Sequence, residues 1–118
     1  MKLGFVGLGK MGGRMVARLL RGGHEIVGYD PFDAAVKEAQ SKGAVPARSL
    51  REMVENLEGP RLVWIMVPSG TPTEETVRSV SALLERGDVV VNGGNSLYKD
   101  SIKRAQDLKQ RGIAFLDA

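Results

Sequence analysis

Gly7, Gly9 and Gly12 stand at the spacing Gly-x-Gly-x-x-Gly within Lys2 to Leu20, KLGFVGLGKMGGRMVARLL. Glycines so spaced, after a strand and at the start of a helix, let the chain turn tightly. They also bring backbone against a pyrophosphate and pack the helix close to the strand. The helix amino terminus then offers unpaired N–H groups and a partial positive charge to phosphates. With 15 glycines in 118 residues the spacing alone is a weak signal, and a plain flexible turn is the competing reading. Asp30 comes eighteen residues after Gly12, at the end of the next strand-like run. A carboxylate there accepts hydrogen bonds from ribose hydroxyls, which favours NAD. The 2′-phosphate of NADP would meet a like charge, costing about 1–4 kcal/mol at about 4 Å. Pro31 and Phe32 follow, with no arginine to offset Asp30. A turn cap before Pro31 is the alternative role for this aspartate.

Two later stretches have the same polar, small-residue character. Met66-Val67-Pro68-Ser69-Gly70 leaves one apolar run, and Asn92-Gly93-Gly94-Asn95-Ser96 leaves another. In open α/β sheets, loops at the carboxyl ends of strands are where ligands sit. Glycines let the backbone approach a ligand, and an asparagine offers both donors and an acceptor. Each stretch also suits an ordinary turn.

These residues need a scaffold, and the chain supplies alternating strand and helix patterns. Leu3 to Val6 predicts a buried strand, and Met15, Val16, Leu19 and Leu20 mark a helix face closed by Gly22-Gly23. Glu25 to Tyr29 predicts a second strand and Ala34 to Lys42 a second helix, with an extended piece at Ala44-Val45. Ser49 and Glu52 have capping-box spacing ahead of Leu50, Met53, Val54 and Leu57. Leu62 to Val67, apolar throughout, predicts a strand buried on both faces. Thr71 as cap, Pro72 and Glu74 open a helix through Val77, Val80 and Leu84, and Val89 to Val91 form a further buried strand. A last helix over Ser101 to Arg111 and a strand over Ile113 to Leu116 complete the pattern. Five or six strands joined by helices imply right-handed βαβ units and one parallel sheet. The expected class is α/β, a doubly wound Rossmann-type single domain over residues 1–118.

Composition narrows the function. Hydrophobic residues are 42% and charged residues 26%, as in soluble globular domains. No run of 18 apolar residues suggests a membrane span, and no secretory signal opens the chain, so a cytoplasmic location is expected. Cysteine is absent, which excludes disulfides and thiolate metal sites, and no metal is expected. Net charge is only +3 and aromatics are 5%, without a clustered basic face, so nucleic acid is not an expected partner. His24, the single histidine, falls at the amino end of its strand and reads as structural. Trp64 reads as core, and Lys99, Lys103 and Lys109 as the wet face of the last helix.

Gly7-Leu8-Gly9-Lys10-Met11-Gly12, Tyr29-Asp30-Pro31, Met66-Val67-Pro68-Ser69-Gly70 and Gly93-Gly94-Asn95-Ser96 with Asp100 resemble, in that order, the 6-phosphogluconate dehydrogenases. These belong to the wider β-hydroxyacid dehydrogenase superfamily, and the Gly-Gly-Asn-Ser run is the discriminating motif. The resemblance implies that Gly7, Leu8, Gly9, Lys10, Met11 and Gly12 hold the pyrophosphate and that Asp30, Pro31 and Phe32 surround the adenosine ribose. It places Val67, Pro68 and Ser69 along the cofactor, and Asn95 on both cofactor and sugar-acid phosphate substrate. Asp30-Pro31-Phe32 lacks the asparagine–arginine–threonine set of NADP-using relatives and looks like the NAD-preferring branch. Asn92 departs from the aspartate usual before Gly-Gly.

The implied parent chemistry is oxidation of 6-phosphogluconate by NAD and decarboxylation to ribulose 5-phosphate, in the pentose phosphate pathway. In the family, the catalytic lysine and a helical domain that also makes the homodimer follow the strand matched by Phe115-Leu116-Asp117-Ala118. No catalytic residue is therefore expected within these 118, which should bind NAD without appreciable turnover. A non-catalytic NAD-binding or redox-sensing module, or a domain of another β-hydroxyacid dehydrogenase, is the alternative.

Overall fold

In a computed structural model, the chain is described over residues 1–67, 71–93 and 98–117. Six strands form one parallel sheet: β1 (Lys2–Val6), β2 (Glu25–Tyr29), β3 (Val45–Pro46), β4 (Leu62–Ile65), β5 (Val89–Asn92) and β6 (Ala114–Asp117). The helices between them are α1 (Lys10–Arg21), α2 (Asp33–Ser41), α3 (Leu50–Glu55), α4 (Thr71–Ser81) and α5 (Tyr98–Gln110). The strand order is β3-β2-β1-β4-β5-β6, with the winding direction reversing between β1 and β4. That is the doubly wound architecture expected from the sequence, and its reversal point is where such sheets bind ligands.

The core has two layers because successive strand residues point to opposite faces. Leu3, Phe5 and Ile26 join Leu8, Val16, Val36 and Ala39 under α1 and α2. Val6, Val27, Val63, Ile65 and Val90 meet Met53, Val54, Val77, Val80 and Leu108 from α3, α4 and α5, with Leu57 from the turn after α3. Gly4 gives α3 its close seat, since a Cβ there would lie 3.1 Å from both Leu57 Cδ1 and Met53 Sδ.

Boundaries move slightly from the sequence pattern. The helix α5 starts at Tyr98 rather than Ser101, and β6 is shifted one residue along from the predicted strand. The strand β4 ends at Ile65, two residues short of Val67, and it is not buried on both faces. Val63 and Ile65 are buried, whereas Leu62 and Trp64 are half-buried. The cause is coverage: α1 packs on β1 and β2, and α2 on β2 and β3, leaving β4 thinly covered on that side. Trp64 nevertheless lies parallel to Phe5, with ring centroids 6.5 Å apart. No helix among the described residues is long and apolar enough to cross a membrane.

At the amino edge, Asp88 is only 2% exposed. Its carboxylate accepts from Arg61 N at 2.7 Å and Glu85 N at 2.8 Å, with the Arg61 guanidinium 3.5 Å away. This cluster ties the turn before β5 to the start of β4, at the opposite end of the strands from the glycine loop.

Candidate functional site

The three glycines of the loop from β1 to α1 stand in three different surroundings. Gly7 has φ +97°, and a Cβ on it would overlap the Met66 carbonyl, so the turn lies directly against the chain leaving β4. Its N–H donates to Tyr29 O at 3.0 Å, and Met66 N donates to Val6 O at 2.7 Å, holding three strand ends together. Gly12 is buried, and a Cβ there would overlap the Gly7 carbonyl and sit 3.3 Å from Phe5. That is the close helix–strand packing the motif predicts. Gly9 differs from both, because a Cβ built on it meets nothing within 4 Å. Neither a strained φ nor a neighbouring atom requires glycine at position 9.

Gly9 is also the N-cap of α1, and no side chain caps the helix there. Its first turn, Lys10-Met11-Gly12, contains no acidic residue to neutralise the helix dipole. Backbone N–H groups at such an end lack intrahelical partners and favour an anion. Lys10 is exposed beside them, and Met11 is 68% exposed. A cavity of about 370 Å³ adjoins the turn, bordered by Leu8, Gly9, Lys10, Arg14, Glu38 and Lys42. Three of those six are cations and one is a carboxylate, with Lys42 and Glu38 paired at 3.7 Å. Arg14 is a basic contributor that the glycine motif itself did not point to.

Leu8 anchors the loop. Its side chain is buried against Gly28, where a Cβ would come within 3.1 Å of Leu8 Cδ1. Its N–H donates to Asp30 Oδ2 at 2.8 Å, and Phe32 N–H donates to Asp30 Oδ1 at 2.8 Å. The aspartate thus makes the turn contact before α2 and also clamps the glycine loop from across the β1–β2 pair. A carboxylate offers about four lone-pair sites, so these two bonds leave acceptor capacity for a ribose. Pro31 is exposed beside it, and Phe32 is 74% exposed.

Beyond Asp30 a cavity of about 700 Å³ lies between α2 and the start of α3. Asp30, Pro31, Lys37, Gln40, Arg48 and Glu52 are among its lining residues. Ser49 Oγ accepts from Glu52 N at 3.0 Å, the predicted cap of α3. The Glu52 carboxylate reaches back to Arg48 N at 3.3 Å, one residue before the usual capping-box partner. Arg48 and Lys37 escaped the sequence reading because nothing local ties them to Asp30.

On the β4 side, Val67 is half-buried after the strand. Pro68, Ser69 and Asn95 lie outside the described residues, as do Gly70, Gly94 and Ser96. Asn92 is fully buried at the end of β5, where it pairs across to Ile65 and Asp117. Gly93 abuts Met66 and Trp64: a Cβ there would overlap the Met66 sulfur and lie 2.5 Å from Trp64 Nε1. The loops leaving β1, β2, β4 and β5 thus start from one edge of the sheet, the edge expected to hold a ligand. His24 sits at the opposite edge, before β2, and Lys103 and Lys109 are exposed on α5.

Residues 2–118 match the family described as the NAD binding domain of 6-phosphogluconate dehydrogenase. An NAD(+)-dependent, decarboxylating 6-phosphogluconate dehydrogenase of Haloferax volcanii is 42% identical over 106 residues, which is 90% of this chain and 36% of that protein. An NADP(+)-dependent, decarboxylating 6-phosphogluconate dehydrogenase of Bacillus subtilis is 33% identical, over 98% of this chain and 25% of its own length. Among solved structures, the 3-hydroxyisobutyrate dehydrogenase of Mycobacterium tuberculosis, determined with L-serine, superposes with a TM-score of 0.89. It is 27% identical, and the match covers 99% of this chain and 39% of that one. The chain therefore spans between a quarter and two fifths of the length of these proteins.

Proposed function

Because the chain belongs to the family of NAD-binding domains of 6-phosphogluconate dehydrogenase, we propose that it holds NAD across the carboxyl ends of β1, β2, β4 and β5 for oxidation of 6-phosphogluconate. The single observation that supports this most is the open space at Gly9, beside a helix end with neither a side-chain cap nor an acidic first turn. A pyrophosphate fits that combination of room, N–H donors and positive potential. Gly7 and Gly12 shape the loop, Lys10 and Met11 border it, and Leu8 fixes its height above the sheet.

Asp30 gives the adenosine end its preference. Its remaining lone pairs accept from ribose hydroxyls, with Pro31 and Phe32 alongside, and its charge opposes a 2′-phosphate. NAD is the favoured cofactor on this account. When bound, it supplies the hydride acceptor. Val67, Pro68 and Ser69 are assigned to its nicotinamide half, and Asn95 to both cofactor and sugar-acid phosphate.

The base that takes the hydroxyl proton is assigned, from the family resemblance, to sequence after position 118. Residues 1–118 then act as the cofactor domain and turn over 6-phosphogluconate negligibly by themselves. A second reading, a cofactor domain for another β-hydroxyacid dehydrogenase, draws on the likeness to the 3-hydroxyisobutyrate dehydrogenase. The run Gly93-Gly94-Asn95-Ser96 favours the first.

The test is an amide-resolved NMR titration with NAD, paired with an assay for NADH formation from 6-phosphogluconate. The proposal expects saturable shifts centred on Gly9, Lys10 and Met11, with no measurable NADH. Shifts confined to other parts of the sheet would refute the site. Sustained NADH formation would refute the assignment of the base beyond position 118.

A further inference from the structure

The sequence puts no arginine directly after Asp30, yet the fold brings one from 18 positions further on. In the β2–β3 pair, Val27 is opposite Val45 and Gly28 opposite Pro46. Ala47 N–H continues the ladder, donating to Gly28 O at 2.9 Å. Asp30 is the first residue past β2 and Arg48 the second past β3, and both line the cavity of about 700 Å³. Ala47 is buried, and the Glu52 carboxylate holds the Arg48 N–H, so the backbone at this position is fixed from both sides.

The side chains then sort by what they already hold. Asp30 turns its carboxylate to the Leu8 and Phe32 amides rather than towards β3. Lys37, the other cation lining the cavity, is paired with Asp33 at 3.1 Å. Arg48 is exposed, and among the described residues its guanidinium has no ion pair. A planar guanidinium with five fixed donors suits a phosphate dianion better than a ribose hydroxyl.

We propose that Arg48 is a specificity-determining residue that takes the 2′-phosphate of NADP, so the preference for NAD set by Asp30 is shallow rather than absolute. This rests on the cofactor site proposed above. Asp30 repels the 2′-phosphate from the β2 side, and Arg48 attracts it from the β3 side. The ratio of the two affinities reads their balance.

The experiment is calorimetric titration of the 118-residue chain and its R48Q, R48K and R48E variants with NAD and with NADP, each variant checked by circular dichroism. The expected result is measurable binding of both cofactors to the parent. R48Q should weaken NADP about five- to tenfold and NAD less than twofold, R48K should recover part of the NADP affinity, and R48E should weaken NADP most. An NAD-to-NADP ratio that stays within twofold across folded variants would overturn the role of Arg48. Strong NAD binding to the parent with no measurable NADP binding would overturn it too. If the parent binds neither cofactor, the cofactor site itself is refuted. Loss of fold in R48Q would overturn the premise that this exposed side chain is free for a ligand.

Discussion

Replacing Gly9 by alanine should separate folding from cofactor binding. Gly9 has φ −67° and ψ −162°, an extended conformation that alanine adopts freely, and its Cβ would touch nothing within 4 Å. Alanine removes unfolded-state freedom, worth about 0.4–1 kcal/mol in favour of the fold. It is also a poorer N-cap than glycine, by a comparable amount. The two effects nearly cancel, so the unfolding free energy should stay within about 1 kcal/mol of the parent. Binding should behave differently, because the methyl group fills the space through which a phosphate reaches the α1 amides. Losing one such charge-assisted hydrogen bond costs about 1.5–3 kcal/mol, or roughly ten- to 150-fold in affinity. Urea unfolding and NAD titration on the same preparation give both quantities. Gly12→Ala serves as the contrast, since its Cβ would overlap the Gly7 carbonyl. That variant should lose about 3 kcal/mol or more of stability. A folded Gly9→Ala that binds NAD within twofold of the parent would refute the assignment of this loop to the pyrophosphate.

Three further outcomes follow from the same geometry. Asp30→Asn keeps only one acceptor oxygen for the two amides now bound to the carboxylate. It should cost about 1 kcal/mol and speed hydrogen exchange at the Leu8 amide, and unchanged exchange there would contradict the clamp. Asp88→Ala strips two amide bonds and a charge partner from a nearly buried cluster. About 3 kcal/mol should be lost in urea unfolding while NAD affinity holds, and a loss below about 1 kcal/mol would show the cluster to be incidental. Gly93→Ala drives a methyl group against Met66 and Trp64. Stability should fall by about 1–3 kcal/mol, and the emission of Trp64, the sole tryptophan, should shift. An unshifted spectrum would mean that the loop yields instead.

The parts of the fold that local chemistry dictates were readable in advance. Val89 to Val91 form the strand their apolar run suggests, with Val90 and Val91 buried and Val89 half-buried, and Ser49 does accept from Glu52 N as the cap spacing suggests. The glycine loop was readable as a unit, but the separate duties of Gly7, Gly9 and Gly12 were not. Those depend on Met66, Phe5 and empty space, which only the packed sheet brings near. Asp30 illustrates the same limit. Its ribose and turn-cap readings were alternatives in the sequence, whereas its bond to Leu8 spans 22 positions and depends on β1 and β2 lying side by side.

Arg48 was invisible because β3 is only two residues long and both are exposed, which leaves almost no strand signature. Asp88, after Gly87, looks like an ordinary turn aspartate until β4 and β5 enclose it. Trp64 packs against the core as a tryptophan in mid-strand should, but its half-exposure depends on how far α1 and α2 extend across the sheet.

Equilibrium calorimetry of this chain with NAD and NADP decides whether residues 1–118 form a cofactor domain that prefers NAD. One saturable site for NAD is expected, with NADP measurably weaker at the same site and displaced by NAD. No heat of binding with NAD up to millimolar concentration would contradict it, and tighter binding of NADP would overturn the role given to Asp30.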